Sequence, residues 1–108
     1  MNSKKALSMI GIATKAGKVV TGEFSTEKAV KEGNACIVII ATDASDNTKK
    51  KFRNMCNYYH ITRKEFATKD SLGMACGKEF RASLAVTDLG LAKEIEKQID
   101  RCEHMEVQ

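Results

Sequence analysis

The chain has 108 residues, 43% hydrophobic and 30% charged, with 18 basic side chains against 14 acidic ones for a formal charge of +4. That length and composition suit one domain with its own apolar core and exclude a disordered or collagen-like chain. No apolar run approaches the ~20 residues of a membrane-spanning helix; with no signal-peptide pattern at Met1, the expected location is cytoplasmic.

The chain contains no proline, so Gly, Asn, Asp and Ser must supply the punctuation. Ala6, Met9, Ile10, Ala13 and Ala16 recur with helical spacing and predict a first helix from Ser3, a good cap, to about Gly17. Val19 and Val20 begin a short strand that stops at Gly22. A second helix follows from about Phe24 to Glu32, with Ser25 as its expected cap and Gly33 in the terminating position. Ile37-Val38-Ile39-Ile40 is β-branched and apolar at every position, the pattern of a central strand buried on both faces. Phe52, Met55, Cys56 and Tyr59 form one stripe of a third helix over about 47–59, whose opposite face carries Lys49, Lys50 and Arg53.

Beyond it the signals weaken. A strand is expected near Phe66, within 61–67, then a short helix over 71–75 and another strand over 82–86. Asp88 can cap a last helix that buries Leu91, Ala92, Ile95 and Ile99, and the polar tail after Arg101 is expected to fray. Alternating helices and strands around a strand apolar on both sides imply an α/β fold. The reading is one domain over 1–108, a three-layer α/β/α sandwich with a mixed sheet of about four strands.

Charge is unevenly spread. Residues 1–60 hold ten basic and five acidic side chains, while residues 61–108 hold eight and nine. The positive N-terminal part points weakly to an anionic partner. Cys36, Cys56, Cys76 and Cys102 form no C-x-x-C pair, and His60 and His104 complete no zinc pattern. They read as reduced packing thiols, with no metal and no cofactor implied.

Three stretches invite a chemical reading. Gly73-Met74-Ala75-Cys76-Gly77-Lys78 resembles a phosphate loop, but it has three residues between its glycines instead of four. Glu79 also stands where a hydroxyl is needed, and its carboxylate repels phosphate. His60 beside Tyr58 and Tyr59 lacks a nucleophile motif, and the two tyrosines are expected to pack and cap rather than stack bases. No enzyme is indicated. Gly22-Glu23-Phe24-Ser25-Thr26-Glu27-Lys28 places a helix start directly after a strand, where free N–H groups favour an anion; an ordinary turn into a helix fits equally well.

Taken in order, these stretches resemble the ribosomal protein L7Ae family of kink-turn RNA binders, and within it the bacterial YlxQ-like branch. The resemblance spans nearly the whole chain, from Ala6-Leu7-Ser8-Met9-Ile10-Gly11 to the last helix. It rests on Gly22 to Gly33, on Val38-Ile39-Ile40-Ala41-Thr42-Asp43-Ala44-Ser45, on Cys56 with Tyr59, and on Lys69 to Lys78. It implies a non-catalytic α/β/α protein that grips tandem sheared G·A pairs with the start of its second helix. The implied RNA-binding residues are Gly22, Glu23, Phe24, Ser25, Lys28 and Asp43, then Lys69 near a flipped-out nucleotide. Lys78, Glu79, Phe80 and Arg81 fall in a loop that closes over the bend. The ribosomal members carry Asn-Glu where this chain has Phe24-Ser25, and phenylalanine cannot hydrogen-bond guanine.

The expected partner is a structured RNA, a kink-turn in ribosomal or messenger RNA, in a ribosomal or ribonucleoprotein setting. The alternative is a protein adaptor on the ribosome or another ribonucleoprotein that has lost RNA readout, with Phe24 near Phe80 as its apolar patch. A phosphate-handling enzyme rests only on the broken Gly73–Lys78 pattern.

Overall fold

The computed structural model describes the backbone of residues 3–107 and the side chains of residues 3–102. In chain order the elements are α1 (Ser3–Lys15), β1 (Val19–Thr21), α2 (Glu23–Lys31), β2 (Ile37–Ile40) and α3 (Asp46–Tyr59). They continue as β3 (Thr62–Glu65), α4 (Lys69–Ala75), β4 (Ser83–Val86) and α5 (Leu89–Val107). The four strands form one mixed sheet in the order β1-β4-β2-β3. β4 runs antiparallel to both neighbours, whereas β2 and β3 are parallel.

The apolar run Ile37–Ile40 needs cover on both faces, and the helices supply it. Helix α1 packs against α5 and α4 to make one outer layer; α2 packs against α3 to make the other. Every residue of β2 and β4 is buried between them. Ile37, Ile39, Ile40, Leu84 and Val86 from the sheet are essentially inaccessible, as are Ile10, Val30, Phe52, Ile95 and Ile99 from the helices. Burying such a side chain is worth about 1.5–3 kcal/mol each, so the two central strands anchor the molecule.

Ser45 caps α3 by accepting from Thr48 N at 3.1 Å, and Asp88 caps the start of α5 by accepting from Leu91 N at 2.9 Å. Several boundaries differ from the sequence reading. Helix α2 is not capped by Ser25: Gly22 takes the N-cap position and no side chain closes the terminus. Helix α4 starts two residues earlier than expected, at Lys69, because Thr68 caps it by accepting from Ser71 N at 3.2 Å. Strand β3 ends at Glu65, and Phe66 lies just beyond it, buried. Tyr58 and Tyr59 do not pack into the core; both are exposed, edge-on to each other with ring centroids 4.9 Å apart. Helix α5 runs on to Val107, past the Arg101 at which the sequence reading ended ordered structure. No described helix is long and apolar enough to cross a membrane.

Candidate nucleic-acid interface

The end of β1 leads into α2 through a single residue. Gly22 adopts φ 92° and ψ 159°, a conformation essentially restricted to glycine. Its N–H donates to Ser83 O at 2.9 Å, which ties the start of α2 to β4. Because no side chain caps this helix, its first turn keeps free N–H groups at a positive dipole end. Phe24, with 79% of its surface exposed, and Lys28, also exposed, project from the first two turns.

Two further segments converge on that corner. Asp43, in the loop after β2, accepts from Lys69 N at 2.8 Å and so helps to start α4. Thr42 beside it donates to Ala67 O twice, from its N at 2.7 Å and from its Oγ1 at 2.9 Å. These bonds hold Ala67 at φ 64°, a left-handed conformation that costs a β-carbon residue about 1–2 kcal/mol. From the loop after α4, Arg81 N donates to Lys69 O at 3.1 Å, and its Nε donates to Thr21 Oγ1 at 3.0 Å. Arg81 thereby links β1, at the foot of α2, with the first turn of α4.

The loop itself is held from below. A β-carbon on Gly73 would lie 1.9 Å from Glu79 O, so the chain at Glu79 lies directly on α4 and only glycine fits beneath it. This explains the phosphate-loop resemblance. Gly73 belongs to α4 and Gly77 to the turn that leaves it, so the motif is a helix and its exit rather than an anion cradle. Lys78, Glu79 and Phe80 are exposed on this loop, Phe80 at 60%.

The structure therefore brings Gly22, Asp43, Lys69 and Arg81 into one bonded frame, with Phe24, Ser25 and Lys28 one turn along α2. Glu23 is turned away from this frame. Its carboxylate meets Lys51 of α3 at 2.9 Å, and Lys51 also pairs with Glu27, which pairs with Lys31 at 2.8 Å. These two ammonium partners hold the Glu27 carboxyl down at about 2, and the carboxylates raise Lys51 above the ordinary lysine range. Lys49 sits 3.8 Å from Glu65, so the basic face of α3 is partly spent on internal pairs. Lys28, Lys69 and Lys78 make no ion pair among the described residues. The sequence reading took Lys49-Lys50-Lys51-x-Arg53 as a basic face that could meet phosphates, whereas Lys51 is held by Glu23 and Glu27; it missed Thr21 and Thr42, for which a threonine next to Gly22 and one next to Asp43 were the available signals.

The four cysteines are unbridged, and burial pushes the Cys56 and Cys76 thiols up, away from reactivity. No cluster of metal-ligating side chains exists among the described residues.

The chain is similar to several known proteins. Over 100 residues the chain is 37% identical to the RNA-binding protein YlxQ of Bacillus subtilis (strain 168), covering 93% of this chain and all of that one. It is 37% identical over 79 residues to the large ribosomal subunit protein eL30 of Methanoregula boonei, covering 72% of this chain and 79% of the relative. A solved structure of a Bacillus halodurans protein of unknown function superposes with a TM-score of 0.86 at 38% identity, covering 89% of this chain and 97% of that one. The Giardia lamblia 15.5kD RNA binding protein shares the fold, with a TM-score of 0.77 at 22% identity over 93% of this chain and 88% of its own. The family model matches residues 4–96, and the chain belongs to the ribosomal protein L7Ae/L30e/S12e/Gadd45 family.

Proposed function

We propose that this protein is a non-catalytic binder of structured RNA in a ribosomal or ribonucleoprotein setting, and that its ligand is a kink-turn. The observation that carries the reading is the frame around Arg81, which joins the uncapped start of α2 to the first turn of α4. Lysines on both sides of that frame are free of ion pairs with described residues. A sharply bent duplex crowds its phosphates, and a rigid corner bearing Lys28, Lys69, Lys78 and Arg81 offsets their repulsion. The names of the relatives, RNA-binding protein YlxQ and large ribosomal subunit protein eL30, support the same class of ligand. Phe24 supplies a flat apolar surface for an unstacked base, and Phe80 supplies a second on the loop.

One observation favours a second reading. Phe24 and Phe80 are among the most exposed large apolar side chains described, which also suits a protein adaptor.

The test is a titration with a kink-turn RNA and a control whose tandem G·A pairs are replaced by Watson–Crick pairs. The expected result is tight binding to the first only, with Lys28→Ala and Lys69→Ala each weakening it by about 1–3 kcal/mol. Equal weak binding to both RNAs, with both variants unchanged, puts the adaptor reading first.

A further inference from the structure

Helix α1 has two faces, and only one of them is used by the core. Ala6, Ile10 and Ala13 are buried. A second stripe, Lys4, Leu7, Ser8, Gly11, Ile12 and Lys15, lines an open groove of about 720 Å³ between α1 and α4. The spacing of that stripe is the i, i+3, i+4, i+7 pattern of a helix-packing face. The opposite wall is Ser71, Met74 and Ala75 of α4.

Small residues make the floor. A β-carbon on Gly11 would come within 3.3 Å of Ala75 O, so the two helices nearly touch there. Larger apolar side chains make the walls: Ile12 is 54% exposed and Met74 77% exposed. A floor of small residues between apolar walls admits the ridge of a third helix. Methionine adapts its shape to whatever ridge arrives.

The charge of the groove selects among partners. Lys4 and Lys15 are the charged residues of its lining, at its two ends, and neither is ion-paired among the described residues. Helix α1 contains lysines and no carboxylate along its whole length. The lining holds no aromatic side chain on which a base could stack, which disfavours single-stranded nucleic acid here.

We infer that the α1–α4 groove is a docking site for an acidic amphipathic helix of a partner protein. Its apolar residues pack on Leu7, Ile12 and Met74, and its carboxylates meet Lys4 and Lys15. Lys4 and Lys15 are about 16 Å apart along α1, so a partner lying along that helix carries its acidic groups about three turns apart. The site uses none of the residues proposed to touch RNA, so a helix bound there leaves Lys28, Lys69 and Arg81 open.

The experiment uses the full chain and two synthetic amidated helices of about 18 residues, each with leucines at i, i+3, i+4 and i+7. One carries glutamates flanking the leucines; the other carries lysines in the same places. Fluorescence anisotropy is expected to show saturable binding of the glutamate peptide and none of the lysine peptide. Ile12→Glu and Lys15→Glu are each expected to weaken that binding about tenfold or more. Circular dichroism checks that these exposed substitutions leave the fold intact, and Met74→Glu, expected to weaken the glutamate peptide in the same way, tests the other wall independently. The RNA titration of the same variants is expected to stay within about twofold of wild type. Equal binding of the two peptides, binding of neither, or groove variants that lose RNA while keeping peptide would each overturn the assignment.

Discussion

Gly73 shows how one atom decides the placement of a loop. The β-carbon it lacks would overlap the Glu79 carbonyl, which is backbone and cannot rotate aside. Gly73→Ala is therefore expected to lower stability by about 1–3 kcal/mol in urea denaturation, because the loop must lift off α4. The lift carries Arg81 with it, so on the proposed function a loss of RNA affinity is expected to accompany the loss of stability; an alanine variant of wild-type stability would mean that the loop is not seated on α4. In the sequence, Gly73 and Gly77 looked like fragments of a nucleotide motif. Their real function was not legible there, because it depends on the chain returning over α4 after the turn. Asp43 was legible as part of the family resemblance but not as the group that receives Lys69 N, a bond across 26 positions.

The pairing of α2 with α3 depends on Lys51. Its ammonium reaches Glu23 and Glu27 on the neighbouring helix, and Glu27 is shared with Lys31. The Glu27 carboxyl is lowered from 4.5 to about 2 in the folded chain. A group depressed on folding stabilises the native state above its unfolded value, and that contribution disappears as pH falls toward the folded value. The window is thus pH 4.5 down to about 2. Glu27→Gln is expected to flatten the acid branch of the stability curve in that window while changing little of its shape near neutrality; unfolding monitored by circular dichroism across the window checks this. An identical acid branch in both proteins would show that the pairing does not act in solution.

Elements differed in how clearly the sequence announced them, for physical reasons. β2 and α3 were plain because burial fixed their apolar periodicity. β3 was obscure because it is an edge strand of sequence TRKE, with Arg63 paired to Glu65 and Lys64 to Asp100. Its strand character comes from its parallel partner β2, not from its own residues. The cap of α2 was misassigned to Ser25 because serine is the usual choice, whereas here the backbone of Gly22 makes the turn unaided.

At the scale of the molecule, the extents are 34 × 29 × 26 Å, so the cationic corner can meet only a short stretch of RNA. If Lys28, Lys69, Lys78 and Arg81 each neutralise one phosphate, log K should fall with log salt with a slope of about −2.8 to −3.6. A titration series over ionic strength measures it. A slope near zero would remove the electrostatic basis of the proposed RNA contact, whatever the affinity at one salt concentration.

The strand order carries a consequence for synthesis. β4 is the last strand in the chain, yet it lies between β1 and β2 and supplies the pairing of both on that side. Until Ser83–Val86 has emerged from the ribosome, β1 has no partner strand, the two sides of the sheet are unjoined, and Gly22 lacks its bond to Ser83. Long-range pairing of this kind closes slowly relative to local helices. Nascent chains that stop before Ser83 should therefore stay open to proteases, and those that include α5 should close as a unit: this domain folds when β4 arrives rather than strand by strand.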